Sequence, residues 1–307
     1  MKYKAFTIAL LSLLGGMASE VLAQAVRSIN QLNKTTVEVV YEGGKQMTID
    51  FYGDNIFRLF RDDAGGILRA PEATPPAKIL VDNPRRPLQG GLRIEQSVEQ
   101  FLVKTVSSVV SIDLRTGLME VKTLGQNGAS SVLQQTAPLT FKKGAYELAF
   151  QAKPDEYFFG GGVQNGRFSH RGKKIDIVNT NSWTDGGVCS PAPFYWSTAG
   201  YGILCNTFTP GAYDFAADRP NEVQLTHDAP YLDMFVMIDS TPVALLNDYY
   251  QLTGNPVLLP EFAFYEGHLN AYNRDYWKET DDQQRGILFE DGKYYTESQP
   301  RALTEAI

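Results

Sequence analysis

The chain has 307 residues, with 28 Lys and Arg against 35 Asp and Glu, for a formal net charge of −7. That acidic balance argues against nucleic acid, whose phosphates call for clustered Lys and Arg, and 2 Cys with 3 His leave little material for a Cys/His metal site. Hydrophobic residues at 43% and charged residues at 21% match a globular chain, long enough for one large β domain with extra segments or for two domains.

Residues 1–23 begin with Lys2 and Lys4, continue through an apolar stretch from Ala5 to Ala18, and end in small residues that permit cleavage after Ala23 or after Ala25. This is the pattern of a secretory signal peptide. The apolar run is shorter than the ~20 residues a membrane span requires. The mature protein is therefore expected to be secreted, periplasmic or extracellular, with no membrane association after cleavage. Such a compartment permits disulfides. Cys189 and Cys205 could pair there or remain free or buried thiols.

Short strand-like runs fill the next two hundred residues. Thr36–Tyr41, Met47–Phe51, Asn55–Phe60, Gln100–Lys104, Val109–Leu114 and Leu118–Lys122 are examples, many alternating apolar with polar. Gly43-Gly44, Gly65-Gly66, Thr116-Gly117 and Asn127-Gly128 punctuate them as turns. Many short strands with regular turns predict a β-sandwich or barrel. The stretch from Pro71 to Pro87 holds five prolines and is expected to run as a loop along an edge.

Farther on, Phe194–Ser197 and Tyr201–Cys205 flank Thr198-Ala199-Gly200 and are expected to form a hairpin, with Cys189 and Cys205 not opposite one another. Glu222–Thr226 and Leu232–Ile238 are two more strands, the second too apolar for a wet face and expected mid-sandwich. One helix follows: Ser240 or Thr241 caps it, Pro242 fits its first turn and Gly254 ends it. Its apolar stripe reads as Val243, Leu246, Tyr249, Tyr250 and Leu252. Asn255-Pro256 and Leu259-Pro260 then form a rigid link, Phe262–Tyr265 is a new strand, and the chain turns polar from Lys278. We place a domain boundary at this change, with a β domain over 24–255 and a second segment over 256–307.

Few stretches suggest chemistry. Gly160-Gly161-Gly162 lacks the spacing of a phosphate loop and reads instead as a tight passage where two backbones approach. His170, His227 and His268 are scattered and read singly as hydrogen bonders. Asp176, Asp185, Glu261, Glu266 and Asp275 lie in or near aromatic stretches, a setting that sugar chemistry uses. With 35 acidic residues, however, each alone is better read as solvated surface.

The stretch from Phe158 to Trp277 resembles glycoside hydrolase family 31, the α-glucosidase and α-xylosidase family. Phe158–Gly162, Ile175–Asn181, Pro193–Ser197 with Gly200–Leu204, Leu232–Ile238 with Thr241-Pro242, and Leu252-Thr253-Gly254 with Pro256 and Leu259-Pro260 follow the family's order. The resemblance implies a mainly β fold: a galactose-mutarotase-like β-sandwich over 24–255, then the start of a truncated (β/α)8 barrel over 256–307. It implies a retaining α-glycosidase acting on α-glucans or related α-glucosides, with an oligosaccharide or polysaccharide as partner and no cofactor.

The family's two catalytic Asp residues lie on later barrel segments, so the catalytic pair is expected outside this chain, and the chain alone is expected to be inactive. Tyr272 matches an aromatic lining the sugar subsite. Asn179 and Asn181 match a loop that reaches over the active site, with Asn181 where some members carry Asp. Gln164 stands near a usual Glu, and Asn270 and Ala271 replace a common Ser-Arg pair. The other reading is a non-catalytic carbohydrate-binding or structural β-sandwich.

Overall fold

The computed structural model describes residues 24–62, 64, 78–125, 128–180, 184–264 and 277–297. The chain divides into two compact units, Met1–Asn255 and Pro256–Ile307.

The first unit is built from seventeen strands and one helix among its described residues. The strands are β1 (Val26–Gln31), β2 (Thr36–Tyr41), β3 (Gln46–Gly53), β4 (Ile56–Asp62), β5 (Arg93–Gln96), β6 (Gln100–Lys104), β7 (Ser108–Asp113), β8 (Met119–Gly125) and β9 (Gly128–Lys142). After these come β10 (Ala145–Gln151), β11 (Phe158–Gln164), β12 (Lys173–Ile177), β13 (Val188–Ser197), β14 (Tyr201–Cys205), β15 (Gly211–Phe215), β16 (Glu222–His227) and β17 (Tyr231–Ile238). Helix α1 spans Pro242–Thr253.

Two antiparallel sheets result. One runs β1-β2-β3-β4-β17-β14-β13-β11 and the other β12-β15-β16-β10-β9-β8-β7-β6-β5. Their facing side chains form a single core that includes Val37, Ile49, Phe57, Val110, Phe150, Tyr195, Phe215 and Val236. This is a β-sandwich, as the alternation in strands such as β6 requires. β17 lies mid-sheet between β4 and β14 and is buried on both faces, which is why its sequence does not alternate. The hairpin of β13 and β14 pairs Ser197 with Tyr201 and Phe194 with Leu204, leaving Cys189 well beyond the paired stretch. The two cysteines are not bonded to each other; Cys205 is buried, and Cys189 is half-buried with its Sγ accepting from Asn165 Nδ2 at 3.3 Å.

Helix α1 covers the outer face of the eight-stranded sheet through a second apolar cluster of Tyr52, Phe194, Leu204, Phe235, Met237, Leu245 and Leu252. The Thr241 hydroxyl accepts the Ala244 N–H at 3.2 Å, Pro242 opens the first turn and Gly254 closes the helix at φ 89°. The buried positions are Leu245, Asp248 and Leu252, whereas Val243 is 69% exposed. Of the expected stripe, Leu252 is buried and Leu246 and Tyr249 pack against the cluster, while Val243 faces out and Leu245 and Asp248 take buried places instead. The helix axis is set by what the sheet offers, including polar groups that receive Asp248.

The proline-rich segment also departs from expectation. Its described part crosses beside α1 and the end of β3, an interior strand, and does not follow a sheet edge. Val81 N–H donates to Leu252 O at 2.9 Å, and Arg86 N–H to Tyr52 O at 2.8 Å. Arg85 forms a two-pronged pair with buried Asp50 and lies 3.9 Å over the Tyr52 ring. Beneath it, Arg58 and Asp233 make a buried bidentate pair at 2.6 and 2.5 Å, to which Asn206 donates at 2.8 Å.

In the second unit, Glu261–Phe264 form one 3-10 turn where a strand over Phe262–Tyr265 is expected from the sequence. Pro260 starts that turn, its carbonyl accepting the Ala263 N–H at 2.9 Å and its fixed φ fitting a first helical turn. A three-stranded antiparallel sheet of β18 (Trp277–Glu279), β19 (Ile287–Leu288) and β20 (Tyr294–Glu297) follows. Among the described residues, no helix is long and apolar enough to cross a membrane.

Candidate functional site

The site begins with the glycine run in β11, the edge strand of its sheet. Gly160, Gly161 and Gly162 have φ of 116°, 79° and 78°. A Cβ on Gly160 would lie 2.6 Å from Phe194 O, and one on Gly162 would run into the backbone at Ser190 and Ala192. The run is thus a close backbone passage, as its sequence suggests, and it kinks β11 against β13 where their register shifts. Gln164 ends the strand, 6% exposed. Its amide nitrogen donates to Gly161 O at 2.9 Å and Asp176 O at 3.1 Å, tying β11 to β12. An ionised Glu has no hydrogen to give either carbonyl, whereas the Gln amide serves both.

Beyond β11 and β12 the chain forms two loops that share hydrogen bonds. Asn165 N–H donates to Gly187 O at 3.0 Å, and Gly186 N–H returns to Asn165 O at 2.9 Å. Thr180 closes the neck of the second loop. Its N–H donates to Val188 O, and its hydroxyl accepts from Val188 N–H, both at 3.1 Å. Gly166 leaves room for the Asp185 carboxylate, and Arg167 donates to Lys174 O at 2.6 Å. Asn179 therefore stands exposed beside the anchored Thr180, on a loop held at its base. Asn181 and Tyr272 lie outside the described residues, so Asn179 is the one expected sugar contact with a described position.

Around the loops lies an aromatic strip that the sequence reading did not assign. Phe159 stacks on its cross-strand neighbour Trp196 at 4.5 Å, and the Phe168 ring meets Phe159 edge-on at 5.5 Å. Phe168 is 86% exposed. The alternation of Phe194 with Trp196 and the Phe158-Phe159 doublet carried that signal, since alternate residues share a sheet face.

The two described histidines, His170 and His227, are structural. His170 is 1% exposed, with Nε2 2.8 Å from Gly160 O, and burial lowers its pKa. His227 sits between Tyr213 OH at 2.9 Å and Thr209 O at 3.1 Å, its pKa also lowered by burial. His268, Glu266 and Asp275 lie outside the described residues, while Asp176, Asp185 and Glu261 are exposed. No group of three or more His, Cys, Asp or Glu able to hold a metal occurs among the described residues.

The fold agrees with a family model. Residues 46–214 match the glycosyl hydrolase 31 N-terminal galactose mutarotase-like domain. The chain belongs to the glycosyl hydrolase 31 family. An α-xylosidase of Lactiplantibacillus pentosus is 29% identical over 131 residues, 41% of this chain and 17% of that protein. A family 31 dextranase of Flavobacterium johnsoniae, solved with isomaltotriose, superposes with a TM-score of 0.69 at 14% identity, covering 79% of this chain and 29% of the dextranase. A cycloalternan-forming enzyme of Listeria monocytogenes, solved with a pentasaccharide substrate, gives 0.64 at 20% identity over 78% of this chain and 23% of its own. These structural likenesses concern the fold. The chain thus spans less than a third of the length of each of these three proteins, in the region of the N-terminal family 31 domain.

Proposed function

We propose that this chain is the N-terminal part of a secreted retaining α-glycosidase that acts on α-glucans or related α-glucosides. The observation that carries the reading is the family domain over residues 46–214, assembled around the loop that bears Asn179. The named relatives work on or bind α-linked sugars, which supports a carbohydrate substrate here. In a retaining mechanism one carboxylate attacks the anomeric carbon and a second protonates the leaving oxygen, the two held about 5–5.5 Å apart. Both belong to barrel segments outside this chain. The sandwich contributes the loop of Asn179 and Asn181, whose amides donate to and accept from sugar hydroxyls. Tyr272 stacks on the apolar face of the ring.

The test is an assay of the purified 307-residue chain on aryl α-glucosides, together with calorimetric titration with maltose, isomaltose and dextran. No turnover is expected. Turnover abolished by mutating one of the chain's own carboxylates would overturn the placement of the catalytic pair. Saturable binding by a folded monomer would favour a stand-alone binding module, for which exposed Phe168 beside half-buried Phe159 offers a stacking surface. In the enzyme with its barrel, Tyr272→Ala is expected to lower kcat/KM about a hundredfold through lost positioning, with Tm nearly unchanged. A lower Tm with near wild-type kinetics would make Tyr272 a packing residue.

A further inference from the structure

We propose that Gln24 is the mature N-terminus and that it closes to pyroglutamate. The inference rests on the secretory reading above. The sequence leaves two cleavage points open, after Ala23 and after Ala25, and the fold distinguishes them. Ala25 O accepts the Glu42 N–H at 2.8 Å, and Val26 N–H donates to Leu114 O at 2.8 Å as β1 begins. The carbonyl of Gln24 presses against Gly117 where any Cβ would collide, and Gly117 takes a φ of 68°. Cleavage after Ala25 would remove both carbonyls and leave Glu42 N–H without its acceptor. Cleavage after Ala23 keeps them, so Gln24 carries the new α-amino group.

That group would arise beside a buried cation. Gln24 lines a small cavity together with Tyr41, Met47, Arg61, Gly117 and Met119. Arg61 is 3% exposed, its guanidinium lies 5.2 Å from the Tyr41 ring centroid, and its Nε has no hydrogen-bond partner among the described residues. Asp62 offsets part of this charge. An α-ammonium on Gln24 adds a second positive charge at the cavity that Arg61 also lines.

Ring closure removes that charge. The α-ammonium first releases a proton to water; the free amine nitrogen then attacks the side-chain Cδ, a C–N bond forms, and the Cδ–Nε2 bond breaks. Nε2 leaves as ammonia, taking a proton from the α-amino group. Atoms and charge balance without an oxidant or cofactor. The product is a neutral lactam whose carbonyl can accept a hydrogen bond, at a cavity where Arg61 Nε has one to donate.

The experiment expresses the whole chain, leader included, in a Gram-negative host, and then measures intact mass and fragments the N-terminal peptide. A synthetic peptide starting with the same Gln is carried through the same handling. The expected N-terminal peptide starts at residue 24, is lighter by one ammonia than its unmodified form, and resists Edman degradation while the synthetic control stays open. A peptide starting at Gln24 with a free amine, or a control that closes to the same extent, would overturn ring closure while leaving secretion standing. A start at Val26 would overturn the assigned N-terminus. Retention of Met1 would overturn the secretory reading and the inference with it.

Discussion

Asp248 is a charged side chain in a largely apolar setting under α1. It is 3% exposed, accepts from Asn55 Nδ2 at 2.6 Å, and lies 3.4 Å from the Arg86 guanidinium. Burial pushes its pKa from 3.8 up to about 6, against the opposing charge of Arg86 and with help from Asp239. The folded state therefore holds the proton more tightly than the unfolded chain does. The stability linked to this group is fully present below pH 4 and is lost as pH rises through about 6, a loss of about 2 kcal/mol once solvent screening is allowed for. Asp248→Asn removes the ionisation and keeps an oxygen for Asn55. The Tm difference, variant minus wild type, should be more positive at pH 7.5 than at pH 4. Thermal melts at the two pH values check this, and a difference independent of pH would show that Asp248 does not titrate between them.

At the scale of elements, β11 shows how a glycine run shapes a site. Three successive residues at positive φ are costly for any side chain, and here the backbones of β11 and β13 also leave no space for a Cβ. Gly162→Ala should therefore destabilise the domain by about 2 kcal/mol or more. Because Gln164 and Asn165 follow directly, it should also loosen the paired loops. Limited proteolysis would show faster cleavage between residues 165 and 187 in the variant. Unchanged cleavage with an unchanged Tm would mean that β13 yields without cost. Helix α1 illustrates the opposite case. Its ends are local devices: sequence placed Pro242 and Gly254 and narrowed the cap to Ser240 or Thr241, of which the structure uses Thr241. Leu246, Tyr249 and Leu252 of its stripe pack inward as expected, whereas the burial of Asp248 depends on Asn55 and Arg86, both remote in sequence.

At the scale of the molecule, the sandwich closes through strands distant in the chain. β4 pairs with β17, and Arg58 reaches Asp233 across a separation of 175 residues. The first unit contains both sheets, both apolar clusters and α1. Residues 24–255 should therefore fold alone, with a Tm within about 2 °C of that of residues 24–307. Calorimetry of the two chains tests this, and a broad transition in the shorter one would mean that residues past Pro256 complete the sandwich core. In the second unit, Ile287 and Leu288 are each 57% exposed, and this small sheet brings little apolar burial of its own.

The sequence by itself determined the class of the fold, because strand period, turn glycines and helix caps are properties of neighbouring residues. It also identified the glycine run as a backbone passage and the family to which the ordered motifs belong. Only the tertiary structure decided the strand order, the burial of Asp248 and the aromatic strip of Phe159, Trp196 and Phe168. It likewise revealed the double role of Gln164 and the 3-10 turn over Glu261–Phe264, where apolar residues after Pro260 read as a strand. These depend on partners far along the chain, or on a backbone angle that outweighs a weak β preference. Neither is written in the spacing of adjacent residues.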